Sequence, residues 1–390
     1  MTGRHTADVI VIGAGLVGAC CALALSEAGM EVCVVDRRGP AGGTSAAGEG
    51  NVLVSDKLAG PELALALRSR RLWDELGSRL PLDFELEAKG GLVVGRDEEE
   101  MAAIGDLADR QAAMGVEVER LGPGDLARAE PLLAPDLAGA AYYPQDACLQ
   151  PMLATAGLLA AADRAGARLM LGIEAAGGTA RSGAGMTIST SAGVLGAGAV
   201  VNAAGPWSGE VARGLGSTIP VKPRRGSILV TEPLPLAVRH KVYEGDYVAA
   251  VVDDASSLAC SAVVEATRSG TLLIGSSRQF VGFDATPDVG VLGELARRAL
   301  RLFPFLSRVR ALRTYSGFRP ASPDHLPIIG ADPAVPGLWH ATGHEGAGVG
   351  LAPATAELIA ALVTGTTPPV DPGPFSPSRF APAPGARCNG

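Results

Sequence analysis

Three glycines and one acid carry the clearest chemistry in this sequence. Gly13, Gly15 and Gly18 stand in Asp8-Val-Ile-Val-Ile-Gly13-Ala-Gly15-Leu-Val-Gly18, and Asp36 closes the run Glu31-Val-Cys-Val-Val-Asp36. Gly13 permits a tight turn, Gly15 lets the backbone approach a pyrophosphate, and Gly18 lets a helix pack closely on a sheet. A diphosphate then meets unpaired N–H groups at the helix N-terminus. An acid about 20 residues on is placed to hold a ribose hydroxyl pair. The spacing therefore predicts a strand, a glycine turn, a helix from Leu16 to Ala28 and a second strand. That unit binds a dinucleotide without distinguishing FAD from NAD.

A second glycine turn lies far down the chain, in Leu338-Trp-His340-Ala-Thr-Gly343-His344-Glu345-Gly346-Ala-Gly348-Val349-Gly350. It feeds a helix with Leu351, Ala354, Leu358, Ile359 and Leu362 on one stripe, ending near Gly365, and Pro353 is read into its first turn, where a missing N–H costs nothing. The positive end of such a helix suits a group that becomes anionic, as a reduced flavin does around N1 and its C2 carbonyl. An NAD enzyme has no comparable need for this turn. Two further segments point the same way. Arg37 to Asn51 is a loop of small residues, and Gly198 to Asn202 is a strand running into Ala203-Ala204-Gly205-Pro206-Trp207, where a strand end lines a ligand crevice.

Composition bounds the alternatives. At 390 residues, with hydrophobic residues at 47% and charged residues at 19%, the chain is globular, and one large or two interleaved domains are expected. The net charge of −8 leaves no basic footprint for nucleic acid. Arg68, Arg70, Arg71, Arg224 and Arg225 are read as solvated faces. Six cysteines without metal-ligand spacing read as buried free thiols, with no metal site and a reducing cytoplasm expected. No apolar run is read as long enough to span a membrane.

Helices are expected at Pro61 to Leu76, Glu98 to Met114 and Gln150 to Ala165, with a strand from Arg168 to Glu174. Between Pro220 and Leu312 the pattern changes to short β-rich runs, such as Ser227 to Val230, Tyr247 to Val252 and Thr271 to Ile274, suited to a roof over a ligand. The proline-rich tail after Gly365 is expected as an irregular strap.

The fingerprint, Gly43-Thr-Ser-Ala-Ala-Gly48, Val201-Asn-Ala-Ala-Gly-Pro-Trp207, Gly317-Phe-Arg319-Pro320, Ser322-Pro-Asp324-His-Leu-Pro327-Ile-Ile-Gly330 and the Gly343 turn together resemble the FAD-dependent D-amino-acid oxidase superfamily over nearly the whole chain. Gly48-Glu-Gly-Asn-Val-Leu-Val-Ser55, Gly275-Ser-Ser-Arg-Gln-Phe-Val-Gly-Phe283 and Phe375-Ser-Pro-Ser-Arg-Phe380 look most like the β subunits of hydroxyproline dehydrogenases and opine oxidases. The resemblance implies an α/β fold of glutathione-reductase-type flavoprotein topology. In it, a Rossmann-like FAD-binding domain (1–80, 150–215 and 315–390) carries an inserted, mainly antiparallel β-sheet substrate domain (81–149 and 216–314).

It also implies roles. Gly13, Gly15, Gly18, Asp36, Arg37, Thr44, Ser45, Gly48 and Asn51 would surround noncovalently bound FAD, with Ala204, Gly205, Trp207, Gly343, Gly346, Gly348, Val349 and Gly350 bordering it from the two later segments. Arg319 would pair with the carboxylate of a small amino or imino acid, since a guanidinium offers the planar fork a carboxylate matches. His344 would accept the amine proton or hydrogen-bond the flavin, with a satisfied structural histidine as the alternative, and Tyr247 would cover the substrate. Glu265 is expected at the surface, while His240 and His325 carry no role beyond their loops. The implied reaction oxidises a C–N bond and passes electrons to a partner subunit or quinone-like acceptor. Direct use of oxygen, a noncatalytic flavin-binding subunit and an NAD(P)-linked dehydrogenase are the alternatives.

Overall fold

The computed structural model describes residues 5–180, 185–247 and 258–381. Two large sheets organise the chain. The first runs in the order Ile328–Ala331, Leu338–Thr342, Gly193–Asn202, His5–Ile12, Val32–Asp36 and Arg168–Leu171, parallel except at the Ile328–Ala331 edge. Its central strand is apolar at every position from Val9 to Ile12 because both faces are covered. Met186–Thr190 and Ala175–Ala180 extend the sheet antiparallel from Gly193–Asn202.

The second sheet runs Ala311–Ala321, Lys222–Thr231, Leu272–Arg278, Ala259–Ala266, Lys241–Glu244, Gly91–Gly95, Gly139–Tyr143 and Glu119–Leu121. Only the contact of Lys241–Glu244 with Gly91–Gly95 is parallel. The strand carrying Arg319 begins at Ala311 and pairs along its length with Lys222–Thr231, so the boundary expected at 315 falls inside a strand of this sheet. Of the β-runs expected here, Val248 to Val252 lie outside the described residues, as does Cys388, while Tyr247 follows the strand Lys241–Glu244.

The helices form close to their expected places: Leu16–Glu27, Pro61–Arg79, Glu98–Ala112, Pro151–Arg164 and Gly348–Thr364. Asp97 caps its helix through a 2.9 Å bond from the Glu100 N–H, which accounts for one part of the acidic run there. The last helix corrects two expectations. Together with its leading turn it covers Glu345–Thr364, long and apolar enough by composition to cross a membrane, yet it is packed between the first helix and Pro61–Arg79.

Pro353 also lies inside that helix rather than in its first turn. Proline has no N–H, so the carbonyl four residues earlier loses its helical donor. Trp73 supplies one instead, its indole N–H reaching Val349 O at 3.1 Å and Gly350 O at 3.2 Å, while Ser69 Oγ accepts from the Ala354 N–H at 3.3 Å. Trp73 is completely buried. Trp73→Phe is therefore expected to cost about 1–3 kcal/mol, the range for leaving buried acceptors without a donor. A urea midpoint equal to that of the parent protein would contradict this account.

Candidate active site

A cavity of about 540 Å³ runs between the sheets. One end is lined by Val35, Asp36, Arg37 and Arg38, the middle by Gly13, Gly15, Leu16, Ser45, Ala204, Gly205 and Trp207, and the other end by Arg319, Thr342, His344 and Gly346. The glycine turn is held from both sides. Asp36 accepts from the Ala14 N–H at 2.8 Å and the Arg38 N–H at 2.6 Å, and Ser45 Oγ accepts from the Leu16 N–H at 3.0 Å. Gly13 has φ +119°, and a Cβ there would strike the Ala203 carbonyl.

Not every expected residue faces the cavity. Thr44, Gly48, Asn51, Gly348 and Val349 line it, whereas Gly18, Gly343 and Gly350 do not. A Cβ on Gly18 would land on the Gly13 carbonyl oxygen, one on Gly350 would press on Asn51 O at 3.2 Å, and Gly343 has φ +74°. These three bring backbones together behind the site. The Asn51 amide also contacts Lys241 Nζ through Oδ1 and donates to Glu49 Oε2 at 3.0 Å.

The residues present fit a flavin dinucleotide. Both helices that open on the cavity lack a side-chain hydrogen bond from their N-cap residues, Gly15 and Ala347, so each presents a positive helix end to the wall. Trp207 stacks on Phe283 with ring centroids 5.3 Å apart and the planes within 2°, and Arg37 lies 4.6 Å from its ring. Thr44 Oγ1 donates to Phe318 O at 2.6 Å, tying the small-residue loop to the strand that carries Arg319.

Arg319 reaches the cavity with most of its fork open. Nη1 donates to Ser277 O at 2.7 Å, and Gly226 leaves room beneath the guanidinium that a Cβ would fill. Burial, and then the charge of Arg278, lower its pKa to about 10, so it remains a cation at neutral pH. Tyr247 is buried in the same wall, with its ring 5.4 Å from that of Tyr243.

His344 lines the cavity and is tied to the last helix. It is almost fully buried, and its Nε2 lies 2.9 Å from Thr355 Oγ1 on the last helix. Burial lowers its pKa to about 3, which keeps the ring neutral. The ordinary value is 6.5, so on acidification the unfolded chain takes the proton first. The stability this group contributes is full above that value and is lost as pH falls towards the folded one. His344→Gln should show a smaller loss of unfolding free energy than the parent between about pH 7 and about pH 5; equal losses would show that the ring is already charged when folded.

Other charged groups are more buried than their sequence context suggests. Glu265 contacts Lys241 Nζ inside the protein, and Glu49 Oε2 lies 3.6 Å from the same ammonium. Burial opposes the Lys241 charge, but the two carboxylates outweigh it and hold its pKa above the ordinary value. Arg224 and Arg225 are buried too. Arg224 donates to Glu345 at 2.6 Å, and Arg225 donates to Asp284 O, Thr286 O and Gln279. His325 Nδ1 lies 3.1 Å from the second Glu345 oxygen, and His240 Nδ1 3.0 Å from Glu130. The one available signal for the Lys241 group was Glu49, an acid set in a loop of small residues.

Fold and site define a flavoprotein, with a dinucleotide cleft in a parallel sheet and a buried arginine, Arg319, reaching the same cavity from an antiparallel roof. The chain belongs to the family of FAD-dependent oxidoreductases of the D-amino-acid oxidase type, whose family model matches residues 8–362. Hydrogen cyanide synthase subunit HcnC of Pseudomonas aeruginosa is 30% identical over 98% of this chain and 98% of its own length. Glycine oxidase of Pseudomonas putida is 30% identical over 95% of this chain and 98% of its own. The crystal structure of glycine oxidase from Geobacillus kaustophilus matches with a TM-score of 0.86 at 28% identity, covering 97% of this chain and 100% of that one. FAD is the cofactor, and the protein is an FAD-dependent oxidoreductase of the amino-acid oxidase type.

Proposed function

We propose that the substrate is a small amino or imino acid of the kind represented by D-hydroxyproline or an opine, oxidised with noncovalently bound FAD. The flavin, when bound, supplies the acceptor at N5 for the hydride leaving the carbon that bears nitrogen. The chain binds, orients and excludes water. In this reading Gly13, Gly15 and Ser45 hold the diphosphate, Asp36 the ribose, and the Gly346 to Val349 turn the flavin edge. Arg319 clamps the substrate carboxylate, and Tyr247 covers it.

One observation carries the reading: the Arg319 guanidinium lines the cavity while spending a single hydrogen bond on the protein, at Ser277 O. A cation so placed, next to a dinucleotide cleft, is ready for a carboxylate. We take the electron acceptor to be a partner subunit or a quinone-like molecule; one relative is itself named as a subunit, while others are named as oxidases.

The test is anaerobic bleaching of the bound flavin by a panel of D- and L-amino acids, proline derivatives, N-alkyl amino acids and opines. Reduction by one class identifies the substrate, and readmitting air separates oxidase from dehydrogenase. A bound flavin that no amino or imino acid reduces would overturn the proposal.

A further inference from the structure

A second cavity, of about 170 Å³, adjoins the first and shares Tyr247, His344, Glu345 and Gly346 with it. Its acidic groups already have partners. Asp56 pairs with Lys57 at 2.6 Å, Asp324 with Arg379 at 2.6 Å, and Glu345 with Arg224 at 2.6 Å and His325 at 3.1 Å. Glu62 lies 4.0 Å from Lys57, and burial pushes its carboxyl up to about 7.

Arg278 is the exception. Its side chain ends the strand Leu272–Arg278, lines the small cavity and is 3% exposed. Its contacts are one long hydrogen bond, 3.2 Å to Ser276 Oγ, and the face of the Tyr247 ring at 4.9 Å. Among the described residues no carboxylate lies within 4.0 Å of it. Glu345, already paired with Arg224 and His325, acts on it only through space, and a buried charge without a paired counter-ion is costly. Arg319, in the adjoining cavity, likewise meets only Ser277 O. Two guanidinium groups in neighbouring cavities, with Tyr247 in the wall common to both, repel each other until anions arrive.

We propose that the small cavity is a second anion subsite, in which Arg278 takes a carboxylate, so that the preferred substrate is an amine bearing two acidic groups. This rests on the amino-acid-oxidising reading above. The α-carboxylate lies on Arg319 and the second on Arg278, past the Tyr247 ring. A substrate with one carboxylate leaves the Arg278 guanidinium without a hydrogen-bonded counter-ion, with Glu345 acting on it only through space, which turns the subsite into a discriminator. N-carboxyalkyl amino acids and amino dicarboxylic acids both carry this chemistry.

The test uses the FAD-loaded protein and unreactive acids that perturb the flavin spectrum. Oxydiacetate and glutarate, which separate the two geometries, are titrated against methoxyacetate and propionate. At least one dicarboxylate should bind about tenfold or more tightly than its monocarboxylate, the scale of one hydrogen bond to a charged group. Arg278→Gln should erase that ratio, chiefly by weakening dicarboxylate binding, while Arg278→Lys should keep part of it. Flavin content and thermal midpoint verify that each variant is folded, and the parent protein and the lysine variant suffice if the glutamine variant is not.

Equal affinity of the parent for both kinds of acid, or an equal loss of both in Arg278→Gln, would overturn the second subsite alone. A protein that reduces its flavin with monocarboxylic amino acids and shows no preference for diacids does the same. Failure of every amino and imino acid to reduce the flavin removes the parent reading and this inference with it.

Discussion

Arg319→Leu is expected to retain FAD and lose substrate. Removing one partner of a buried, hydrogen-bonded charge pair costs about 2–5 kcal/mol, so kcat/KM should fall roughly 30- to 5,000-fold. Leucine fills part of the space and offers no donor, and nothing nearby replaces the fork. Arg278 faces the smaller cavity, and Arg224 is committed to Glu345. The variant also loses the bond to the buried Ser277 O, a cost to stability that a thermal midpoint reads separately from kcat/KM. Flavin absorbance should be unchanged, because Arg319 lies on the roof strand and not in the dinucleotide cradle. Parent-like turnover in Arg319→Leu would sink the assignment of the carboxylate clamp.

The glycines of the fingerprint should separate into two kinds of failure. A Cβ at Gly18 would coincide with the Gly13 carbonyl oxygen, a collision with backbone that no side-chain rotation relieves. Gly18→Ala should destabilise by more than about 3 kcal/mol, the upper range for overpacking, and yield little folded protein. At Gly15 the new methyl would instead stand 3.3 Å from Ser45 Oγ, on the cavity wall. Gly15→Ala should therefore fold and bind FAD about 5- to 150-fold more weakly, equivalent to about 1–3 kcal/mol. Circular dichroism with the ratio of flavin to protein absorbance distinguishes them. A Gly18→Ala protein with full flavin content would contradict the packing seen here.

What the sequence discloses depends on how local the interaction is. The glycine turn and the Asp36 strand end belong to one contiguous unit, and their spacing is imposed by a single ligand, so they are legible directly. Arg319 is legible only through resemblance to a family, because its meaning comes from the loop it crosses. Lys241, Glu49 and Glu265 are scattered over more than two hundred positions and meet only after the roof sheet forms. Glutamate is usually exposed, and the ordinary expectation failed for Glu265 because Lys241 lies beside it. The same holds for Arg224 and Glu345. Pro353 falls in the helix interior because the helix starts at Gly348, and the compensating donor, Trp73, and acceptor, Ser69, come from a helix nearly three hundred residues earlier. His344 sits where its motif suggests, but its protonation is decided by burial, which spacing does not report.

The bond from Thr44 to the Phe318 carbonyl, with Gly317 pressed against Ala47, makes the floor of one site the ceiling support of the other. Such a seam has a reciprocal consequence. Any free energy that FAD spends ordering the loop is shared with the clamp strand, and whatever factor FAD contributes to carboxylate affinity, the carboxylate returns to FAD. Loss of the cofactor should then be slowest while the enzyme is occupied by its acid, giving the protein a means of holding its flavin during turnover.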